Sequence, residues 1–191
     1  MIHVTGMSNG GMFIWTRIME RLAGTLASAG DNALIFTYYE ELSRIFMSGT
    51  VCSSPLRGYN PMPDSPISII DFHGLLDSTI PISPDGPDNY GPGPDMTTET
   101  YDGYYYHIKM DHLLKVTAAM NCEPESQVYP THMDGVDGWG CVMWTGCDGG
   151  NEVVHCEASY GHDYPFNYGQ ISEGLKIIWD FMKVHPNVIK I

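Results

Sequence analysis

Apolar residues fall along this chain in short runs, most of them closed by segments rich in glycine, proline, aspartate or asparagine. The first run, Ile2 to Thr5, is β-prone, and Gly6-Met7-Ser8-Asn9-Gly10-Gly11 after it is turn chemistry. Met12, Phe13, Ile18, Met19 and Leu22 then recur at helical spacing as far as Gly24, which is placed as a C-cap. Strand, tight turn and helix are therefore predicted in that order over residues 1–24. Residues 25–55 carry two alternatives: either Ala33–Tyr39 or Ile45–Val51 forms a strand, with a short helical piece between them.

Further on, Arg57 to Pro66 reads as loop, and Pro66–Phe72 has the continuous apolar character of a buried parallel strand. Ser83–Gly103 is dominated by Pro, Gly, Asp and Thr and is expected to be a long surface loop. Tyr104 to Met120 is predicted to carry an amphipathic helix, with Ile108, Leu113, Leu114 and Val116 among its apolar positions. Cys122–Gly150 reads as a Gly/Asp/Trp-rich loop region and Glu152–Ala158 as another strand, followed by the loop Gly161-His162-Asp163-Tyr164-Pro165. Leu175–Val184 is the closing amphipathic helix, ended by Pro186. Strands that alternate with helices predict an α/β fold built on a mainly parallel sheet, of which three or four strands can be counted. At 191 residues the length suits one domain over 1–191.

Composition narrows the function classes. The net charge is −14, from 9 basic and 23 acidic residues, which argues against binding a nucleic-acid backbone. No run of about 18 apolar residues occurs, so neither a transmembrane helix nor a membrane partner is expected. Of the five cysteines, Cys122, Cys141, Cys147 and Cys156 cluster and Cys52 stands apart. No C-x-x-C spacing is present, so disulfides in an oxidising compartment are favoured over zinc, with three pairings open for the clustered four. Calcium binding by Asp134, Asp137 and Asp148 matches no EF-hand spacing.

The pattern that carries chemistry is Gly6-Met7-Ser8-Asn9-Gly10, a G-x-S-x-G sequence. Five residues in a chain with 21 glycines are weak alone, but a strand before and a helix after are the context such an elbow requires. The turn lifts a serine hydroxyl above the sheet, where it still needs a base and an orienting carboxylate. In α/β-hydrolases these follow in the order Ser, Asp/Glu, His, each after a strand. Asp77 stands just past the strand ending at Phe72, and His162 just past the strand ending near Ala158. Asp71 is expected to point into or beneath the sheet instead. Among the other histidines, His155 is mid-strand, His107 and His112 fall on the predicted helix, and His73 is expected to pack or bond locally. His132 lacks a preceding strand, His185 is terminal, and His3 precedes the elbow.

Three ordered segments, Thr5-Gly6-Met7-Ser8-Asn9-Gly10-Gly11-Met12, Asp71-Phe72-His73-Gly74-Leu75-Leu76-Asp77 with Ile80-Pro81, and Gly161-His162-Asp163-Tyr164-Pro165, resemble the esterase/polyhydroxybutyrate-depolymerase family. That family includes feruloyl and acetylxylan esterases of the carbohydrate esterase class. The resemblance runs from residue 1 to about 185, with a gap near 28–52. It implies an α/β-hydrolase fold, a nucleophile at Ser8, an acid at Asp77, a base at His162 and an oxyanion donor at Asn9. It also implies no cofactor and no metal, extracellular export, and ester bonds of polysaccharides or polyesters as substrates.

Departures from the family pattern set further expectations. The family carries strands and an H-G-type loop ahead of the elbow, so the chain is expected to be the C-terminal part of such a domain, with N-terminal strands missing. Met1-Ile2-His3-Val4 reads as strand and not as a signal peptide. Residues 28–52 look longer than the family's connection, as an intervening insert would. A non-catalytic carbohydrate-binding role is the alternative, with Trp139, Trp144, Tyr160, Tyr164 and Tyr104-Tyr105-Tyr106 as stacking platforms.

Overall fold

Strand β3 (Ser68–Gly74) sits at the middle of the molecule, and all seven of its residues are buried. Its Ser-Ile-Ile-Asp-Phe-His-Gly sequence has little polar alternation, as a strand covered on both faces requires. A computed structural model describes residues 2–8, 11–12, 15, 45–51, 62–63, 66–80, 82, 97–99, 105–131, 139–162 and 173–184. In it β3 pairs in parallel with β2 (Ile45–Val51) on one side and with β8 (Val153–Ala158) on the other. β2 pairs in parallel with β1 (Ile2–Met7). Past β8 the direction reverses, through β7 (Gly140–Trp144) and then β6 (Gln127–Val128). The order in this six-stranded mixed sheet is β1-β2-β3-β8-β7-β6. The chain is thus an α/β protein whose mixed sheet has β7 alone running against the other five strands.

Alternation along β3 and β8 divides the core in two. Ile70, Phe72, Val154, Cys156 and Ala158 face helix α2 (Glu173–Val184), whose Ile177, Ile178, Phe181 and Met182 are buried against them. Ile69 and Val153 belong to the other face, with Trp15 and with Leu113 and Val116 of helix α1 (Lys109–Ala119). The sheet is therefore a middle layer between two helices.

α1 stops for a local reason. Asn121 adopts the left-handed conformation at φ 53°, which asparagine tolerates better than most residues. The N–H groups of Asn121 and Cys122 bond back to the carbonyls of Ala118 and Thr117, a Schellman closure. Cys122 is then tied to Cys147, and Cys141 to Cys156. The second bridge joins directly opposed residues of β7 and β8. Cys52 lies outside the described residues.

Several expectations match, and others are corrected. Of the two alternatives at 25–55, Ile45–Val51 is a strand; Ala33–Tyr39 lies outside the described residues, as does most of the helix predicted over 12–24. The predicted strands at 2–5, 66–72 and 152–158 are found within two residues of their expected ends. The long loop predicted at Ser83–Gly103 contains β4 (Thr97–Glu99), paired antiparallel with β5 (Tyr105–His107). The predicted helix at Tyr104–Met120 therefore begins only at Lys109, because the tyrosine-rich stretch takes the extended pairing that aromatics favour. His107 accordingly stands on a strand and not on a helix. β7 was read as loop: its five residues begin on a glycine within a Gly/Asp/Trp-rich stretch, and only the pairing to β8 shows them to be a strand. Among the described residues no helix is long and apolar enough to cross a membrane.

Candidate active site

β1 ends at Met7, and Ser8 follows in a left-handed backbone conformation at φ 51°. A non-glycine residue held there is strained, and such strain is stored where a side chain must be presented rather than packed. The Ser8 carbonyl accepts from the Met12 N–H at 2.8 Å, and Gly11 and Met12 are helical. The strand thus turns into a helix on the serine itself. Asn9, the expected oxyanion donor, lies outside the described residues.

Two other loops reach Ser8 from β3 and β8. Past β3 the chain turns at Leu75–Leu76, held by Leu75 N–H to Ala158 O and Leu76 N–H to Tyr160 O. Gly74 allows this approach: a Cβ there would collide with the Tyr160 carbonyl oxygen and lie 2.6 Å from that of Gly161. The turn after β3 is thereby pressed against the loop after β8, and Asp77 meets His162. Asp77 is buried, and its Oδ1 accepts the N–H groups of Thr79 and Ile80, each at 2.9 Å. Its Oδ2 accepts from His162 Nδ1 at 2.9 Å. A carboxylate can only accept, so the ring carries its proton on Nδ1 and leaves Nε2 as the acceptor. That nitrogen lies 2.9 Å from Ser8 Oγ. Serine, histidine and aspartate from three segments therefore form one continuous hydrogen-bond chain.

Beneath the Asp77 turn lies His73, fully buried and bonded through Nε2 to the Ile80 carbonyl at 2.7 Å. The same nitrogen is 3.5 Å from Asp77 Oδ2. Burial and the nearby Lys109 charge push this ring down to about 4, so it is neutral at pH 7 and donates from Nε2. The expectation of local bonding for His73 agrees, although its reach to Asp77 was not foreseen. Asp71 is buried as expected. Lys109 Nζ bonds its Oδ1 at 2.9 Å and His155 Nδ1 bonds its Oδ2 at 2.8 Å, while His155 Nε2 bonds Glu157 Oε1 at 3.1 Å. Despite burial, Lys109 and His155 hold the Asp71 carboxyl far below its usual range. Sequence reasoning missed this set; its one signal was an aspartate inside an apolar strand, which demands a buried cation elsewhere.

Other expected site residues are less informative. Asp134, Asp137 and Tyr164 lie outside the described residues, and Asp148 accepts a bond from Asn121 at 2.6 Å. Tyr106, Trp144 and Tyr160 are each 3% exposed, so none offers a ring face for sugar stacking. Trp139 is half-buried, edge-on to Phe72. The chain matches no protein-family model and no curated protein.

Proposed function

We propose that this chain is a serine carboxylic-ester hydrolase of the α/β-hydrolase fold, working through an acyl-enzyme on Ser8. The observation that carries the reading is the continuous chain of 2.9 Å contacts from Ser8 Oγ through His162 to Asp77. The strained backbone of Ser8 and the positions of the three residues after three parallel strands support it.

In the acylation step Ser8 Oγ attacks the ester carbonyl carbon and its proton passes to His162 Nε2. Asp77 stabilises the imidazolium so formed and stays ionised itself. The Asn9 N–H is the proposed donor to the tetrahedral oxyanion; losing one such donor typically costs about 10² to 10³ in rate. Collapse of the intermediate breaks the ester C–O bond, and the His162 proton goes to the departing alcohol. Water, deprotonated by His162, then attacks the acyl-enzyme and restores the serine. None of these steps calls for a cofactor.

Ester bonds of polysaccharides, such as feruloyl or acetyl groups, or of polyesters, are the proposed substrates by resemblance. Export to an oxidising compartment fits the two disulfides. A fluorophosphonate probe is expected to label Ser8, and Ser8→Ala to lower ester turnover by about 10⁴-fold or more. Labelling no stronger in the parent than in Ser8→Ala would overturn the reading.

A further inference from the structure

The Asp77 carboxylate is oriented by its own turn, and the turn is fastened to the sheet beneath it. Asp77 Oδ1 accepts the N–H groups of Thr79 and Ile80, so the carboxylate keeps its direction only while Ile80 stays in place. The carbonyl of that same Ile80 is bonded to His73 Nε2 at 2.7 Å. A carbonyl can only accept, so the ring carries its proton on Nε2. A second tie on this loop, from the Lys109 N–H of α1 to the Ile82 carbonyl, is longer at 3.4 Å. Of the two, the His73 bond has the better length for holding the turn.

His73 has no other polar task among the described residues. Its Nδ1 is buried without a partner, and its Nε2 faces the same turn, 3.5 Å from Asp77 Oδ2. A fully buried imidazole with one unsatisfied nitrogen is a costly way to fill space, since an apolar side chain of similar size would pack there without that loss. What the ring supplies is the bond to Ile80. Its own backbone is fixed in the parallel ladder, opposite Glu157 of β8. Burial first, and the Lys109 charge second, keep the ring neutral at pH 7. A neutral ring fastens the turn without drawing on the Asp77 charge, which stays available to the His162 imidazolium.

We propose that His73 is a positioning residue for the ester chemistry: by holding Ile80 against β3 it keeps the Asp77 carboxylate directed at His162. This rests on the reading of Ser8, Asp77 and His162 as a catalytic triad. The support runs from His73 Nε2 to the Ile80 carbonyl, from the Ile80 N–H to Asp77 Oδ1, and from Asp77 Oδ2 to His162 Nδ1. Because His73 acts through Asp77, it bears on the transition state, in which His162 is charged, and not on ester binding.

The test compares the parent with His73→Leu, which removes the donor, and His73→Gln, whose amide N–H has the reach of the imidazole Nε2. Two readouts are taken: turnover of p-nitrophenyl acetate, and the far-downfield proton NMR signal of His162 Nδ1–H. In His73→Leu, kcat is expected to fall about 10- to 100-fold, as for a small displacement of a catalytic group. KM should stay within about twofold, since binding is untouched. The Nδ1–H signal should move upfield or broaden as its bond to Asp77 loosens. His73→Gln is expected to restore the signal and to bring kcat within about threefold of the parent. Should His73→Leu not fold, His73→Asn takes its place, being polar but too short to reach the Ile80 carbonyl. Parent-like kcat with an unmoved signal would overturn the proposal, and so would a loss that His73→Gln does not restore. A parent that turns over no ester fails the triad reading instead, and the Nδ1–H signal, which needs no turnover, then decides separately whether His73 holds Asp77.

Discussion

The two faces of one sheet are held in contrasting ways. On the α2 face, Ile70, Phe72, Val154 and Phe181 form an apolar contact whose strength follows buried area. On the α1 face the same two strands present Asp71, His73 and His155, and α1 adds Lys109 and His112, all buried. There each charge stays tolerable only while its partner remains. The apolar face can lose stability in steps, whereas the charged face fails group by group when one member is removed. The charged face is also the one that reaches toward the candidate site, because His73 lies between Asp71 and the Asp77 turn on the same strand.

The largest effects should separate the faces most clearly. Phe181→Ala is expected to cost about 3–5 kcal/mol, the usual range for emptying an aromatic site. Lys109→Met is expected to cost a similar 3–5 kcal/mol, because it removes the ammonium that bonds the buried Asp71 carboxylate at 2.9 Å. Magnitude alone will not tell them apart, but pH will. Without Lys109 the Asp71 carboxyl takes up a proton more readily, so the deficit of Lys109→Met should narrow as pH falls, and Asp71→Asn should restore part of it. The deficit of Phe181→Ala should stay level. Denaturant melts across pH check both, and parallel curves for the two variants would break the contrast.

Each face also has its own disulfide, and these rank next. Cys141–Cys156 belongs to the α2-side cluster with a separation of 15 residues, and Cys122–Cys147 packs on the α1 side with a separation of 25. Chain-entropy arguments put each near about 3 kcal/mol, the longer loop slightly more. Replacing each pair by alanine and measuring the melting transition tests that order. A much larger loss for Cys141–Cys156 would mean that the bridge holds the β7–β8 register as well as closing a loop.

How much of this was legible follows from the range of the interactions. The elbow was readable because strand, turn glycines and helix are consecutive, so local chemistry alone specifies them. Asp77 and His162 were readable because each follows a strand whose apolar run is itself visible. β7 was not, since five residues that begin on a glycine become a strand only by pairing with β8. β5 was masked by the helix signal after it and emerges through its partner Thr97–Glu99. Lys109 was not singled out, since nothing local distinguishes it from a solvated lysine at a helix start. Its role depends on Asp71, 38 residues away in sequence.

The smallest expected effect makes the sharpest test of the charged face. His112 is buried edge-on to Trp15, 4.7 Å between ring centroids, and neither ring nitrogen has a partner among the described residues. Burial, then the neighbouring Lys109, lowers it from its ordinary 6.5 to about 3. Above pH 6.5 the ring is neutral folded or unfolded and adds no pH dependence. Below 6.5 the unfolded chain takes up a proton that the native ring refuses, so stability falls by about 1.4 kcal/mol per pH unit until the native ring also titrates near 3. His73 adds the same sign of slope between 6.5 and about 4. His112→Phe keeps the edge-on contact and removes two unsatisfied buried nitrogens, so it is expected to gain about 1 kcal/mol at pH 7. Its acid limb should be shallower by one proton's slope, leaving the part that His73 and the carboxylates contribute. An unchanged slope would mean that His112 is already protonated in the fold, and the charged face would then hold one more cation than its neighbours can balance.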